Sequence, residues 1–175
     1  MNNAEIMRNE LKMRRGVGII LIKDDGLVWT GKRKNGPGVR MGEKNLWQMP
    51  QGGIDDGEKP LEAAFRELEE ETGTKSAKVL FEHESWFEYE LPNELLGKVI
   101  SGFKGQRQKW FLMKFIGNDS EFNLNKHTPE FDEWMWRDLS SMPNLVVDFK
   151  RPLYEELVRE FTQEIHKNII IENPL

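Results

Sequence analysis

The sequence predicts an α/β domain, a mixed sheet with helices packed on it, and three observations predict it. Short runs rich in β-branched and aromatic residues recur between Gly16 and Arg137. Two helical stretches, opened by Pro60 and Pro152, are interleaved with them. The chain has 175 residues and 38% apolar content, enough for one core, and strands alternating with helices build a layered α/β unit.

Residues 1–13 read as an N-terminal arm, a short helix or loose segment with Ile6, Met7 and Leu11 as its apolar positions. Gly16 to Lys23 reads as a buried strand. Asp24-Asp25-Gly26 marks a tight turn, and Leu27 to Lys32 is the hairpin partner. Asn35 to Asn45, with Gly36-Pro37-Gly38 and Gly42, is a loop. Trp47 to Pro50 is a short strand leading into Gly52-Gly53. Pro60 suits the first helical position, where its missing N–H costs nothing, and Gly73 closes that helix. Strands follow at Ala77–Glu84, Trp86–Glu90, Gln108–Ile116 and Glu133–Arg137. A last helix runs from Pro152 to about His166, with Leu153, Leu157 and Phe161 on one face. The division is therefore an arm at 1–13, one domain at 14–166 and a tail at 167–175. No repeat or linker breaks it.

Composition removes several classes of function. There is no cysteine, which excludes disulfides, thiol catalysis and cysteine zinc sites and suits a reducing cytoplasm. The longest apolar run, Val17 to Ile22, is too short to span a bilayer. Met1 to Arg15 lacks the apolar core of a signal peptide. The expectation is a soluble, cytoplasmic protein with no membrane partner. Net charge is −5, but Met1 to Pro50 holds ten Lys/Arg against five Asp/Glu. An acidic chain does not coat nucleic acid generally. A basic patch beside an acidic centre is a different arrangement: acids can hold metal while bases hold phosphates.

The chemistry lies in Gly52 to Thr74, GGIDDGEKPLEAAFRELEEETGT. At about 100° per residue, Leu61, Ala64, Phe65, Leu68 and Thr72 form a core-facing stripe. Glu67, Glu70 and Glu71 fall on a neighbouring arc, about 120° round. Three such carboxylates repel one another, and a divalent cation is the natural compensation. Hard oxygen ligands from one helix face suit magnesium. Glu62 and Glu69 point elsewhere and read as solvated surface. A glutamate-rich helix is ordinarily only a wet face; here the spacing argues otherwise.

That spacing resembles the Nudix box: Gly52, five residues, Glu58, seven residues, Arg66-Glu67, apolar Leu68, one residue, Glu70-Glu71, one residue and Gly73. Seven fixed positions of this kind arise by chance about once per million chains of this length. One slot departs, since Thr74 stands where the box has an apolar residue. The resemblance implies an α/β/α sandwich with a central mixed sheet. It also implies a loop-helix-loop that binds Mg²⁺ or Mn²⁺ and cleaves a nucleoside diphosphate linked to another group. Carried over, Glu67, Glu70 and Glu71 are metal ligands, with one of them as a candidate base. The carbonyl of Gly52 or Gly53 completes the metal shell, and Glu58 and Arg66 form a buried pair holding the motif's ends together.

Stretches outside the box extend the resemblance over about Arg14 to Phe161. They include Trp47-Gln48-Met49-Pro50-Gln51-Gly52-Gly53-Ile54, Gln108-Lys109-Trp110-Phe111, Pro129-Glu130-Phe131-Asp132 and Phe149-Lys150-Arg151. They are similar to Nudix enzymes that remove pyrophosphate from the 5′ end of triphosphorylated RNA or split dinucleoside polyphosphates. This likeness implies that Glu130 reaches the metal cluster from outside the box. It implies that Arg14, Lys32, Arg33 and Lys109 line the phosphate channel and that Phe149 stacks a base. Without it, each residue has a plainer reading, as a solvated Glu, a solubilising cation or a core Phe. The loop from Lys34 to Leu46 is longer than in the compact RNA-type enzymes and carries Arg40 and Lys44. The tail from Asn168 has no counterpart. Three functions compete: 5′-triphosphate RNA hydrolysis, dinucleoside polyphosphate hydrolysis, and a catalytically silent nucleotide-binding module. The intact glutamates count against the last.

Overall fold

The computed structural model describes residues 3–172, the side chains of residues 4 and 170–172 excepted. Its centre is a seven-stranded mixed sheet. Strand β1 (Lys12–Ile22) lies in the middle and pairs parallel with β6 (Phe103–Phe115), from Lys12 opposite Phe103 to Ile22 opposite Lys114. On its other side β1 takes two partners in turn. Gly16 to Gly18 pair with β4 (Gln51–Gly53), and Ile22 meets Val28 of β2 (Val28–Arg33) across the expected Asp24-Asp25-Gly26 turn. Strand β2 continues outward to β3 (Trp47–Gln48) and β7 (Phe131–Arg137), while β5 (Ala77–Glu90) borders β6.

Alternation along the strands divides the core between two faces. Ile20, Ile22, Trp110 and Leu112 point toward the C-terminal helix α4 (Arg151–Glu172), where Leu153, Leu157 and Phe161 are fully buried, as the four-residue spacing predicts. Val17, Ile19, Leu21, Phe111 and Met113 point to the opposite layer, which holds α3 (Pro60–Thr72). The result is the α/β/α arrangement that the family resemblance implies.

Several boundaries differ from the sequence reading. The arm is a helix, α1 (Asn3–Glu10), and β1 begins at Lys12, inside the stretch read as arm. Arg8 fastens α1 by bonds to the Glu90 carboxylate, the Leu91 carbonyl at 2.8 Å and Asn93 at 2.7 Å. The strands expected at Ala77–Glu84 and Trp86–Glu90 are one continuous strand, whose register against β6 slips between Glu82 and Trp86. That slip is what the sequence presents as an interruption. The 35–45 loop contains one helical turn, α2 (Pro37–Arg40). Helix α4 runs past His166, and Ile169 packs on the core beside Gly26. Residues 1–2 and the tail's 173–175 lie outside the described residues. No described helix is long and apolar enough to cross a membrane.

The face of α3 needs a larger correction. Leu61 is 40% exposed, in a first turn that overhangs the core, and Ala63 is fully buried instead. The buried arc comprises Ala63, Ala64, Glu67, Leu68, Glu71 and Thr72. Two of the three carboxylates therefore belong to the sheet-facing side rather than to an arc beside it. The small Ala63 and Ala64 let the helix approach the sheet, and that approach carries Glu67 and Glu71 under cover.

Candidate active site

Helix α3 is fixed at both ends. The Lys59 backbone N–H donates to the Glu62 carboxylate at 3.2 Å, which closes its first turn. Gly73, at φ 86°, ends it by donating to the Glu69 carbonyl at 2.8 Å, a conformation that favours glycine. Glu69 is not free surface, because Lys75 and Lys126 both bond its carboxylate at 2.9 Å.

The Gly52-Gly53 strand lies against this helix with no room for side chains. A Cβ on Gly52 would fall 2.0 Å from the Glu67 carboxyl carbon, and one on Gly53 2.1 Å from the Arg14 guanidinium. The glycine pair thus lets a carboxylate and a guanidinium close on the same stretch of backbone. Arg66 ties the loop to the helix. Its guanidinium holds Glu58 through two bonds, 2.8 and 2.9 Å, and donates to the Gly53 carbonyl at 2.8 Å. It also reaches Glu67 at 2.9 Å and Glu70 at 3.3 Å. The guanidinium holds the Glu58 carboxyl down at about 2. The expected Glu58–Arg66 pair is present but only partly buried, with side-chain exposures of 15% and 28%.

Arg66→Ala should accordingly cost about 3 kcal/mol, the low end for a broken buried pair, because Glu58 and the Gly53 carbonyl lose their donor together. For a chain of this size that lowers the melting temperature by about 6–12 °C. A melting curve equal to the parent's would refute this role.

Around the glycine pair opens a cavity of about 440 Å³. Arg14, Arg33, Glu67, Glu70, Glu130 and Phe149 all line it. Glu71 sits behind, fully buried, its carboxylate accepting from the Gln51 N–H at 3.0 Å. Burial raises the Glu67 carboxyl to about 7 against the pull of Arg66, and the charges of Glu70 and Glu130 add to the rise. Glu71 is pushed well above the usual carboxylate range, first by burial and then by Glu130 and Glu67. Arg33 bonds Glu130, beside it on the paired β2–β7 edge, at 2.5 Å and is steadied by the Asn35 carbonyl and side chain, each at 3.2 Å. Phe149 leans on Tyr89, with ring centroids 5.8 Å apart.

Lys32 and Lys109 do not join this group. Lys32 bonds Glu133 of the neighbouring strand at 2.9 Å. Lys109 shares the α3 face with Phe111 and donates to the Glu84 carbonyl at 2.8 Å, whereas its neighbour Gln108 lies on the opposite face with Trp110. Sequence reasoning also missed a cation that does line the cavity. Lys150 is buried, bonds Gln48 at 3.2 Å and lies 5.0 Å from the Tyr89 ring. Burial, seconded by Arg33, lowers its ammonium to about 7. The only signal was its place beside Phe149, and nothing in the chain marks a lysine as buried.

A family model for the NUDIX domain matches residues 12–157. The chain belongs to the Nudix family. Curated Nudix relatives cover nearly all of it. The RNA pyrophosphohydrolase of Brucella anthropi is 50% identical over 157 residues, 86% of this chain and 90% of that one. That of Agrobacterium fabrum is 47% identical over 162 residues, 89% and 95%. Among solved structures, a Caenorhabditis elegans Ap4A hydrolase complex superposes with a TM-score of 0.62 at 20% identity, covering 89% of this chain and 99% of that one. The Escherichia coli dihydroneopterin triphosphate pyrophosphohydrolase gives 0.59 at 17%, covering 84% and 97%. At such identities the likeness is one of fold. This Nudix chain is a hydrolase of phosphoanhydride bonds.

Nudix hydrolases generally use divalent metal ions. Among the described residues no three acidic or imidazole groups stand close enough together to hold an ion as they are, since Arg66 draws Glu67 and Glu70 to itself. The donor set nevertheless fits a hard cation. It consists of oxygens alone, its carboxylates raise one another's proton affinity, and the Gly52 backbone leaves the Glu67 carboxylate a side-chain-free cradle.

Proposed function

We propose that this enzyme removes pyrophosphate from the 5′-triphosphate end of RNA, using Mg²⁺ or Mn²⁺. The observation that carries the reading is the meeting, in one cavity, of the box glutamates with Arg14, Arg33 and the Phe149 ring. The acids supply a metal site, the guanidinium forks match phosphate oxygens, and the ring offers a surface to a base. Relatives nearly half or more identical over most of the chain bear the name of this activity.

Glu67, Glu70, Glu71 and Glu130 would hold the metal, with Gly52 favoured over Gly53 as carbonyl donor because Arg66 already occupies Gly53. Bound there, a divalent ion lowers the pKa of water and neutralises polyphosphate charge. Arg14 and Arg33 grip and orient the triphosphate, and Glu58 with Arg66 keeps the loop in place. The water oxygen bonds to phosphorus, the anhydride P–O bond breaks in line, and pyrophosphate departs. The RNA keeps a monophosphate, and the water's proton passes to a carboxylate and then to solvent. The cytoplasm is the compartment this role requires.

The second reading, dinucleoside polyphosphate hydrolysis, uses the same chemistry on the same residues. A head-to-head specificity constant for triphosphate RNA against diadenosine tetraphosphate decides between them, and a clear preference for the latter overturns the proposal. Excess chelator should abolish turnover, with Mg²⁺ or Mn²⁺ restoring it; undiminished activity in chelator would remove the metal from the mechanism.

A further inference from the structure

We infer that the 34–46 segment is an outer RNA surface, whose Arg40 and Lys44 take phosphates of nucleotides downstream of the 5′ end. The inference rests on the RNA reading above and extends it beyond the cavity.

The segment is a built wall. Its ends are joined by the Arg33 N–H donating to the Leu46 carbonyl at 2.8 Å, and its middle by the Glu43 N–H donating to Gly38 at 2.9 Å. Gly38 is buried between Val147 and Leu46, where a Cβ would meet atoms at 3.2 and 3.3 Å. The Glu43 carboxylate accepts the Asp148 N–H at 3.2 Å, so the segment is pinned to the chain just before Phe149. Pro37, Gly38, Val39 and Asn45 line the cavity directly.

Arg40 and Lys44 do not line the cavity themselves but adjoin in the chain the lining residues Val39 and Asn45, and both are exposed. Among the described residues neither has a carboxylate partner, unlike Lys32, Lys109, Lys114 and Lys126, which do. The segment's one acid, Glu43, is engaged with backbone. A chain of net charge −5 thus presents a positive edge next to lining residues of the cavity. Val39 and Met41, 38% and 49% exposed, add apolar surface on which a ribose or base can lie. A cavity of about 440 Å³ holds one small ligand, so a longer RNA must leave across a lip. This lip carries the charge it needs.

The test compares two substrates, a triphosphorylated dinucleotide and a triphosphorylated single strand of about 20 nucleotides, at several salt concentrations. Each lost phosphate contact costs about fivefold at 0.1 M salt. Arg40→Ala with Lys44→Ala should therefore lower kcat/KM on the long strand by about 25-fold and flatten its log–log salt slope by about 1.4. The dinucleotide should change by less than about twofold, and Arg40→Lys with Lys44→Arg should restore the long strand. No loss on the long strand overturns the inference, as does an equal loss on the dinucleotide or on diadenosine tetraphosphate. Direct binding of a 5′-hydroxyl single-stranded RNA separates the two readings. If the parent cleaves no triphosphate RNA, the proposed substrate fails. Weaker, less salt-dependent binding by the double variant still supports the lip, and unchanged binding overturns it.

Discussion

Glu71→Gln is expected to lower turnover by roughly 10²–10⁴-fold, the range for losing a positioned group that activates water, while the fold survives. The variant should also melt at the same or a higher temperature than the parent in chelator. Glu71 is fully buried beside Glu67 and Glu130, and an amide there keeps the acceptor for the Gln51 N–H while removing the charge. A carboxyl held above its unfolded pKa burdens the fold wherever the unfolded chain has already released its proton. Metal-free stability therefore falls as pH rises above about 4.5, with Glu67 contributing until about pH 7, where the folded carboxyl ionises as well. The advantage of the Gln variant should be absent near pH 4 and grow as pH rises above about 4.5. Near-normal turnover would assign the chemistry elsewhere, and a lower melting temperature at pH 8 would mean that Glu71 is held by a cation.

Phe149→Ala should reduce the specificity constant for triphosphate RNA by roughly 5- to 150-fold, from the loss of one stacked base. A mononucleoside triphosphate has no second base, so it should be affected much less. The ring is placed for the task, lining the cavity and backed by Tyr89. It is also partly packed on the α4-side core, so melting curves must accompany the kinetics. Equal losses on RNA and mononucleotide with a lowered melting temperature would return Phe149 to a packing role. Full activity on RNA together with faster cleavage of diadenosine tetraphosphate would move the substrate to the second reading.

What the sequence made legible was local. The Asp24-Asp25-Gly26 turn, the Gly73 terminus and the α4 stripe depend on neighbours a few residues apart and stand as read, whereas the box spacing marked the family but not the face its helix buries. Glu58 and Arg66 lie eight apart and were paired through the motif. Facing was harder. Lys109 and Gln108 differ by one strand position, which is a whole face of the sheet, and nothing local says which face holds the cavity until strand order is known. The burial of Glu71 and Lys150 has the same origin, since hydropathy assigns charges to water while the chain here folds them against a glycine strand and an aromatic wall. Leu61 failed in the opposite sense, an apolar residue in a first turn that outruns the core beneath it.

The parallel pairing of β1 with β6 has a consequence for synthesis. Arg15 lies opposite Arg107, so the central strand finds its long-edge partner only after some ninety further residues have been made. A nascent chain that has just exposed the whole box has the glutamates and both glycines, yet β1 still shows the ribosome surface an open, strongly apolar edge. Loop closure over that span is slow compared with a hairpin, and Phe149 and Lys150 arrive later still. Catalytic competence therefore comes in one late step, once β6 and then Phe149 and Lys150 have been made, and a chain truncated between Gly73 and β6 carries an intact signature and no enzyme.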